Sequence, residues 1–229
     1  MSGRPDRALA SMGIYVFNAA YLYETLLNDF ANARSNHDFG RDVIPATVRL
    51  GHAVAHPFSQ SCVSSDPDAE PYWRDVGTID AYWESNLDLC GIDPSLDLYD
   101  TNWPIWTYQE QLPPAKFVFD DDGRRGMAVD SVVSGGCIIS GAKIARSLLF
   151  SNVHVHSYSS IEDSVILPDV EVHQGVRLKR VVVEKRCTLP EGLAVGFDPA
   201  EDRKRFVVSE RGITLITPEM LGQEVLHQR

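Results

Sequence analysis

Apolar residues in the second half of the chain recur with a fixed step. Ile138, Val155, Val172 and Leu189 stand 17 residues apart. The same spacing relates Ile144, Ile161 and Leu178, then Leu148, Val165 and Val182, then Leu149, Ile166 and Val183. Gly, Ser, Asn, Asp and Pro fill the gaps between anchors that fall about six, five and six residues apart. A 3.6-residue period does not accommodate these anchors. A regular repeat marks a solenoid, and a hexapeptide-like step marks a parallel β-helix with three short faces per coil. Each coil then points one aliphatic side chain per face into a narrow core, and the polar residues turn the corners. Residues 203–221 carry two strand-like stretches joined near residues 209–212. They are expected to cap the solenoid, whose last coil otherwise leaves its end open.

The first half has a different grammar. Residues 11–17, "SMGIYVF", predict a buried strand, and Asn18 is placed to cap the helix after it, where Leu22, Leu26 and Phe30 recur every four residues. Residues 39–51 predict a second, short helical segment. Residues 53–59 are strand-like, with Pro57 at an edge or a strand end. Ile79, Trp83 and Leu87 share one helical face. This is α/β alternation. The region after Gly91 holds four prolines (Pro94, Pro104, Pro113 and Pro114) and an acidic turn at residues 120–123, and predicts a linker. The expected organisation is a partial α/β segment over 1–110, a linker over 111–130 and a β-helix over 131–229. The α/β half has too few strands to close a doubly wound sheet and reads as the rear part of a larger domain.

Composition narrows the function classes. A formal charge of −11 disfavours general nucleic-acid or anionic-membrane binding. No apolar run approaches the roughly 18 residues of a membrane span, and the first residues lack the apolar stretch of a signal peptide. The four cysteines (Cys62, Cys90, Cys137 and Cys187) form no C-x-x-C pair. That pattern predicts thiols in a reducing cytoplasm.

Several groups are candidates for chemistry. Asp75, in "PYWRDVGT", stands just ahead of a helix start. It is either a plain helix cap or a ligand for a divalent cation beside a phosphate, since magnesium takes one or two carboxylates plus phosphate oxygens. Arg74 beside it fits an ion pair or a phosphate contact. Residues 37–42, "HDFGRD", read as another helix entrance with Asp38 or Gly40 at the cap. Arg177, Lys179, Arg180, Lys185, Arg186 and residues 203–205 concentrate positive charge against the acidic background. They fit either a solvated, salt-bridged face or a small anion site. His154 and His156 share a strand face, but two histidines alone do not make a metal site. A glycine-rich phosphate loop after the first strand, expected of an α/β nucleotide enzyme, does not occur. Gly135 and Gly136 sit in the solenoid, where glycine serves a corner.

Five stretches carry a family resemblance: "LASMGIYVF", "HDFGRDVIP", "SDPDAEPYWRDVGTIDAYWESNLDL", "WPIWTYQEQLPPAKFV" and "SVVSGGCIISG". With the β-helix that follows, they resemble bacterial glucose-1-phosphate adenylyltransferase over residues 9–221. That family has an N-terminal nucleotidyltransferase domain of Rossmann type and a C-terminal left-handed parallel β-helix of hexapeptide-repeat type. The chain resembles only the C-terminal portion, so 1–110 would be the rear of the catalytic domain and 131–229 the regulatory and oligomerisation domain. The family forms ADP-glucose and diphosphate from ATP and α-D-glucose 1-phosphate, in glycogen biosynthesis, by in-line attack of the sugar phosphate on the α-phosphorus.

The resemblance implies roles for particular residues. Ser11 would contact glucose 1-phosphate, with Asp38 and Phe39 lining the sugar side. Asp75 would be a catalytic carboxylate, one of two that hold Mg2+. Lys185 and Asp169 would meet a phosphorylated allosteric effector such as AMP, and the full enzyme would be a homotetramer. The family's ATP loop, catalytic Arg and Lys, and second magnesium carboxylate have no counterpart in the chain, which is therefore expected to be inactive by itself. One departure stands out. Where the family carries basic residues for a sugar bisphosphate activator, "TPEMLGQ" places Pro218 and Gly222, so fructose 1,6-bisphosphate is not the expected effector. The rival readings are a stand-alone, non-catalytic regulatory or assembly subunit and, more distantly, a hexapeptide acyltransferase with a histidine base.

Overall fold

A computed structural model describes residues 10–62 and 71–224. It divides into two compact units, Met1–Ser61 and Cys62–Arg229. Among the described residues no helix is long and apolar enough to cross a membrane.

The first unit is built from short helices. α1 (Ala19–Phe30) starts where Asn18 accepts the Tyr21 N–H at 3.2 Å. A five-residue π-turn (Phe39–Val43) follows, entered through Asp38, and runs into α2 (Ile44–Arg49). Tyr21 donates its hydroxyl to Thr47 at 3.5 Å, tying α1 to α2. The strand expected over residues 11–17 does not form. The segment is extended without a ladder partner among the described residues, and Ile14 and Val16 are exposed. A β-strand is defined by hydrogen bonds to a neighbour, so an apolar run alone does not make one. Residues 53–59 likewise form no strand, and end in a 3-10 turn (Phe58–Gln60). α1 has no buried residue, and Leu27 and Phe30 lie largely open.

The second unit is a parallel β-helix with three sheets. The first sheet stacks β1 (Lys116–Val118), β6 (Ile138–Ser140), β9 (His154–Val155), β12 (Glu171–Val172) and β15 (Thr188–Leu189). The second stacks β4 (Met127–Val129), β7 (Lys143–Ala145), β10 (Ser160–Glu162), β13 (Arg177–Lys179) and β16 (Ala194–Val195). The third stacks β5 (Val132–Val133), β8 (Leu148–Leu149), β11 (Val165–Ile166), β14 (Val181–Val183) and β18 (Thr214–Ile216), with β17 (Val207–Val208) antiparallel at its edge. A small hairpin of β2 (Asp120–Asp121) and β3 (Arg124–Arg125) leaves the first coil. The ladder thus begins at Lys116, inside the segment expected to be a linker.

The register corrects one anchor. Ile139, not Ile138, stacks on Val155 and is fully buried, whereas Ile138 is 37% exposed. The first coil reaches Ile144 five residues after Ile139, where the next takes six from Val155 to Ile161. A one-residue slip sends a strand's side chains to the opposite face, so the 17-residue step misassigns the first coil. Three columns of positive φ mark the corners: Asp130, Arg146, Asp163 and Arg180; Gly136, Asn152, Asp169 and Arg186; Gly141, Tyr158, Gly175 and Gly192. Buried serines join the coils beside one corner. Ser147 and Ser164 each donate to the carbonyl two residues back and accept the N–H of the next coil at 3.1 Å. Each buried hydroxyl is thus satisfied on both sides.

The far end is capped as expected. β17 and β18 close it, Met220 and Leu221 pack against the core, and the Gln223 side chain both accepts from and donates to the Thr188 backbone. Pro218 and Gly222 bracket the last 3-10 turn (Glu219–Leu221), with Gly222 at φ 71 as its left-handed cap.

α3 (Ile79–Asp88), read above as part of the α/β segment, packs on the third sheet. Ile79, Tyr82, Trp83 and Leu87 cover Val165, Val182 and Ile213. This explains why adjacent positions such as Val165 and Ile166 are both apolar. Ile166 faces the solenoid core and Val165 faces the helix.

Candidate functional site

Three of the expected site residues share one neighbourhood in the first unit. The Ser11 and Tyr15 hydroxyls are 2.7 Å apart, and Ser11 also accepts the Gly13 N–H at 3.1 Å. Tyr15 stacks on Phe39 with ring centres 6.5 Å apart, and Phe17 meets Phe39 edge-on at 6.2 Å. Phe39 follows Asp38 directly. The result is a hydroxyl and a carboxylate flanking an aromatic platform, groups suited to a polyhydroxylated ligand.

A polar frame holds Asp38. Its side chain accepts the Arg41 N–H at 2.8 Å, and its own N–H donates to Asp42 at 3.2 Å. Asp42 also accepts from Asn36 at 3.1 Å. Behind this loop, Asp29 accepts from the Ser35 hydroxyl at 2.6 Å and meets His37 Nδ1 at 2.9 Å. The Ser35 hydroxyl, then His37, hold the Asp29 carboxyl below the ordinary carboxylate range. Reading the sequence missed Asp29 and Ser35, which carry no motif and act through loop residues folded back on α1.

Asp75 lies in the second unit. It is not the helix cap: Thr78 is, accepting the Ala81 N–H at 3.2 Å. Asp75 instead closes a tight turn, with Oδ1 accepting the Gly77 N–H at 3.0 Å. A side chain at Gly77 would put its Cβ 3.1 Å from that oxygen. Asp75 shares a shallow cleft with Arg74, Glu84 and Asp88. Arg74 forms no ion pair with Asp75. It donates to the Trp73 carbonyl at 3.1 Å and the Ser95 hydroxyl at 3.2 Å, and lies over the Tyr72 ring. Asp75 Oδ1 is engaged by backbone on the protein side, which orients the carboxylate. This matches what magnesium takes from a protein: one or two carboxylates, the other positions going to phosphate and water.

The late basic residues do not form one face. Arg177 lies over Phe197, Lys179 pairs with Glu162 at 3.3 Å, and Arg180 lies over Trp83 while donating to the Arg211 carbonyl at 2.8 Å. Lys204 pairs with Glu201 at 2.6 Å. Lys185 and Arg186 remain exposed at a corner. Asp169 occupies the same corner one coil earlier, and the Arg186 N–H donates to Pro168 at 3.0 Å. The structure therefore brings Lys185 and Asp169 to one edge of the solenoid.

Two family models match successive parts of the chain: nucleotidyl transferase over residues 3–91, and the GlmU-like, C-terminal hexapeptide over residues 113–216. A protein of Nitrosospira multiformis named glucose-1-phosphate adenylyltransferase is 63% identical over 227 residues, 99% of this chain and 53% of its own length. The same-named protein of Nitrosomonas europaea is 64% identical over 228 residues, 99% of this chain and 52% of its own length. The chain is a homologue of the glucose-1-phosphate adenylyltransferases. That of Dechloromonas aromatica matches at 62% over 221 residues, 96% of this chain and 50% of its own length. The chain thus spans about half the length of the curated relatives it matches. A nucleotidyltransferase segment followed by hexapeptide coils is the order these matches give; the first match runs past Ser61 and takes in α3, and the second covers the solenoid strands from β1 to β18.

Proposed function

We propose that the chain contributes to the synthesis of ADP-glucose from ATP and α-D-glucose 1-phosphate, in glycogen biosynthesis, as part of a nucleotidyltransferase. The observation that carries this reading is the 63% identity to a named adenylyltransferase across 99% of the chain. In this reading Ser11, Asp38 and Phe39 bind the sugar phosphate: the hydroxyl donates to it, the carboxylate accepts from sugar hydroxyls, and the ring packs against the apolar face of the pyranose. Asp75 holds one side of a magnesium ion, and the Gly77 N–H fixes the orientation of that carboxylate. Bound magnesium would neutralise phosphate charge and orient the phosphate groups there.

ATP binding is assigned to chain beyond these residues, because no glycine-rich phosphate loop occurs within the 229. Lys185 and Asp169 are assigned to a phosphorylated effector at the solenoid corner, in a protein that assembles as a tetramer. The exposed apolar side of α1, with Leu27 and Phe30, fits a helix that packs against further nucleotidyltransferase structure.

The test is an ADP-glucose synthesis assay with the chain, ATP, glucose 1-phosphate and magnesium, with and without the N-terminal half of the Nitrosospira multiformis relative added in trans. Activity only on complementation, abolished by Asp75→Asn, is the expected result. A folded chain inactive under both conditions would favour a non-catalytic assembly subunit. Activity of the chain by itself would overturn the assignment of ATP binding to other residues.

A further inference from the structure

The first sheet of the solenoid carries a group of side chains that the adenylyltransferase reading does not use. β9 and β12 pair in parallel, with His154 opposite Glu171 and Val155 opposite Val172. Both valines are fully buried. Strand alternation therefore turns His154, His156, Glu171 and His173 outward as a two-by-two array on successive coils. His154 Nδ1 lies 3.3 Å from Glu171 Oε1, and His156 Nε2 hydrogen-bonds the same oxygen. The rings of His154 and His156 are 4.1 Å apart, and His173 stacks on His156 at 5.4 Å.

We propose that His154, His156 and Glu171 form a binding site for a divalent transition-metal ion of the zinc class. One ligand atom from each lies within 4.8 Å of the others. A tetrahedral ion with bonds of about 2.0–2.2 Å sets its ligand atoms roughly 3.4 Å apart, so small side-chain rotations close the site. Two imidazole nitrogens and one carboxylate oxygen are ligands that borderline divalent ions accept. Magnesium, which takes oxygen ligands in a near-octahedral shell, is poorly served by two nitrogens. The three side chains are 34–37% exposed. That leaves a coordination position open to water or to an outside ligand, with His173 beside it.

The site is separate from Asp75 and α3, while Asp169, assigned above to the effector corner, stands two residues before Glu171 on the same coil. α3 covers the third sheet, whereas this array is on the first, and Asp75 lies ahead of α3. Its ligands come from two coils, so a bound ion would staple those coils together. Anything that binds only the folded state raises its stability.

The test is calorimetric titration of the EDTA-treated full chain with zinc chloride, with magnesium chloride in parallel. Saturable uptake of one zinc per chain is expected, and magnesium should not compete. Glu171→Gln and His156→Asn should each weaken zinc binding more than about tenfold, because each removes one of three ligands. Glu201→Gln, on a distant helix, should bind zinc as the parent does. Zinc should also raise Tm in the parent and not in the two site variants. If either site variant fails to fold by circular dichroism, the other carries the test. No saturable uptake, uptake unchanged in the site variants, or magnesium binding as tight as zinc would overturn the proposal and leave the group as a salt-bridge cluster.

Discussion

The indole N–H of Trp83 donates to the backbone carbonyl of Asp163 at 2.8 Å, across 80 positions of sequence. Asp163 sits at a corner with φ 48, its side chain held by Arg146 at 2.7 Å. The Arg180 guanidinium lies over the Trp83 ring, 5.1 Å from its centre. Arg211 and Glu84 add a rim contact at 2.9 Å. Together these set where α3 rests on the solenoid.

Trp83→Phe keeps most of the apolar contact and removes the only N–H that reaches this carbonyl from α3 among the described residues. The expected loss is about 0.5–1.5 kcal/mol in urea denaturation. A loss near zero would mean that water replaces the indole and the bond does not anchor the helix.

Leu178 is fully buried and stacks between Ile161 and Val195 on the second sheet. Leu178→Ala should cost about 2–5 kcal/mol, because a solenoid core one side chain wide has few neighbours to collapse into the gap. Lys179→Ala, one residue on and half-exposed, should cost less than about 1 kcal/mol, since its pairing with Glu162 is a surface salt bridge. Comparable losses for the two would sink the assignment of inward and outward faces.

Asp29 should titrate below the ordinary carboxylate range by carboxyl NMR. The Ser35 hydroxyl is the first cause and His37 the second. A lowered folded-state pKa means stability that is present above the unfolded value and lost as pH falls through the folded value. The loop holding Asp38 should therefore loosen only under acid, and Ser35→Ala should move the Asp29 midpoint upward. No movement would show that the 2.6 Å bond is not formed in solution.

Burial, followed by the Glu184 and Glu219 carboxylates, pushes the Cys187 thiol up to about 12. Burial also raises the Cys137 thiol. Thiolate is the reactive form, so both should resist thiol-directed labelling at pH 8 in the native protein and label fully in guanidinium. Site-resolved mass spectrometry decides this. Native-state labelling of Cys187 at the unfolded rate would contradict its burial.

Much of the architecture was legible because it is local and periodic. The 17-residue step, the polar corners, the Asn18 and Asp38 caps and the closing stretch over 203–221 all follow from residue order, since each coil repeats the same small problem of one inward side chain per face. The strands expected over residues 11–17 and 53–59 were not decided this way, because a strand exists only with a partner and residue order names none. Asp75 was legible as a residue of interest beside a glycine turn, but the cap role passing to Thr78 was not.

By itself, the sequence marked residues 131–229 for a β-helix, whose ladder begins earlier, at Lys116, and showed that the chain resembles an adenylyltransferase. The tertiary structure decided which apolar column faces which neighbour. Val165 meets α3 while Ile166 meets the core, and Ile139 replaces Ile138 because the first coil takes only five residues from this anchor to Ile144. It also joined His154 and His156 to Glu171, a contact between coils that only the ladder register creates. The reason is physical: periodicity fixes how often a side chain points inward, but register and docking, which depend on contacts far apart in sequence, fix what it meets there.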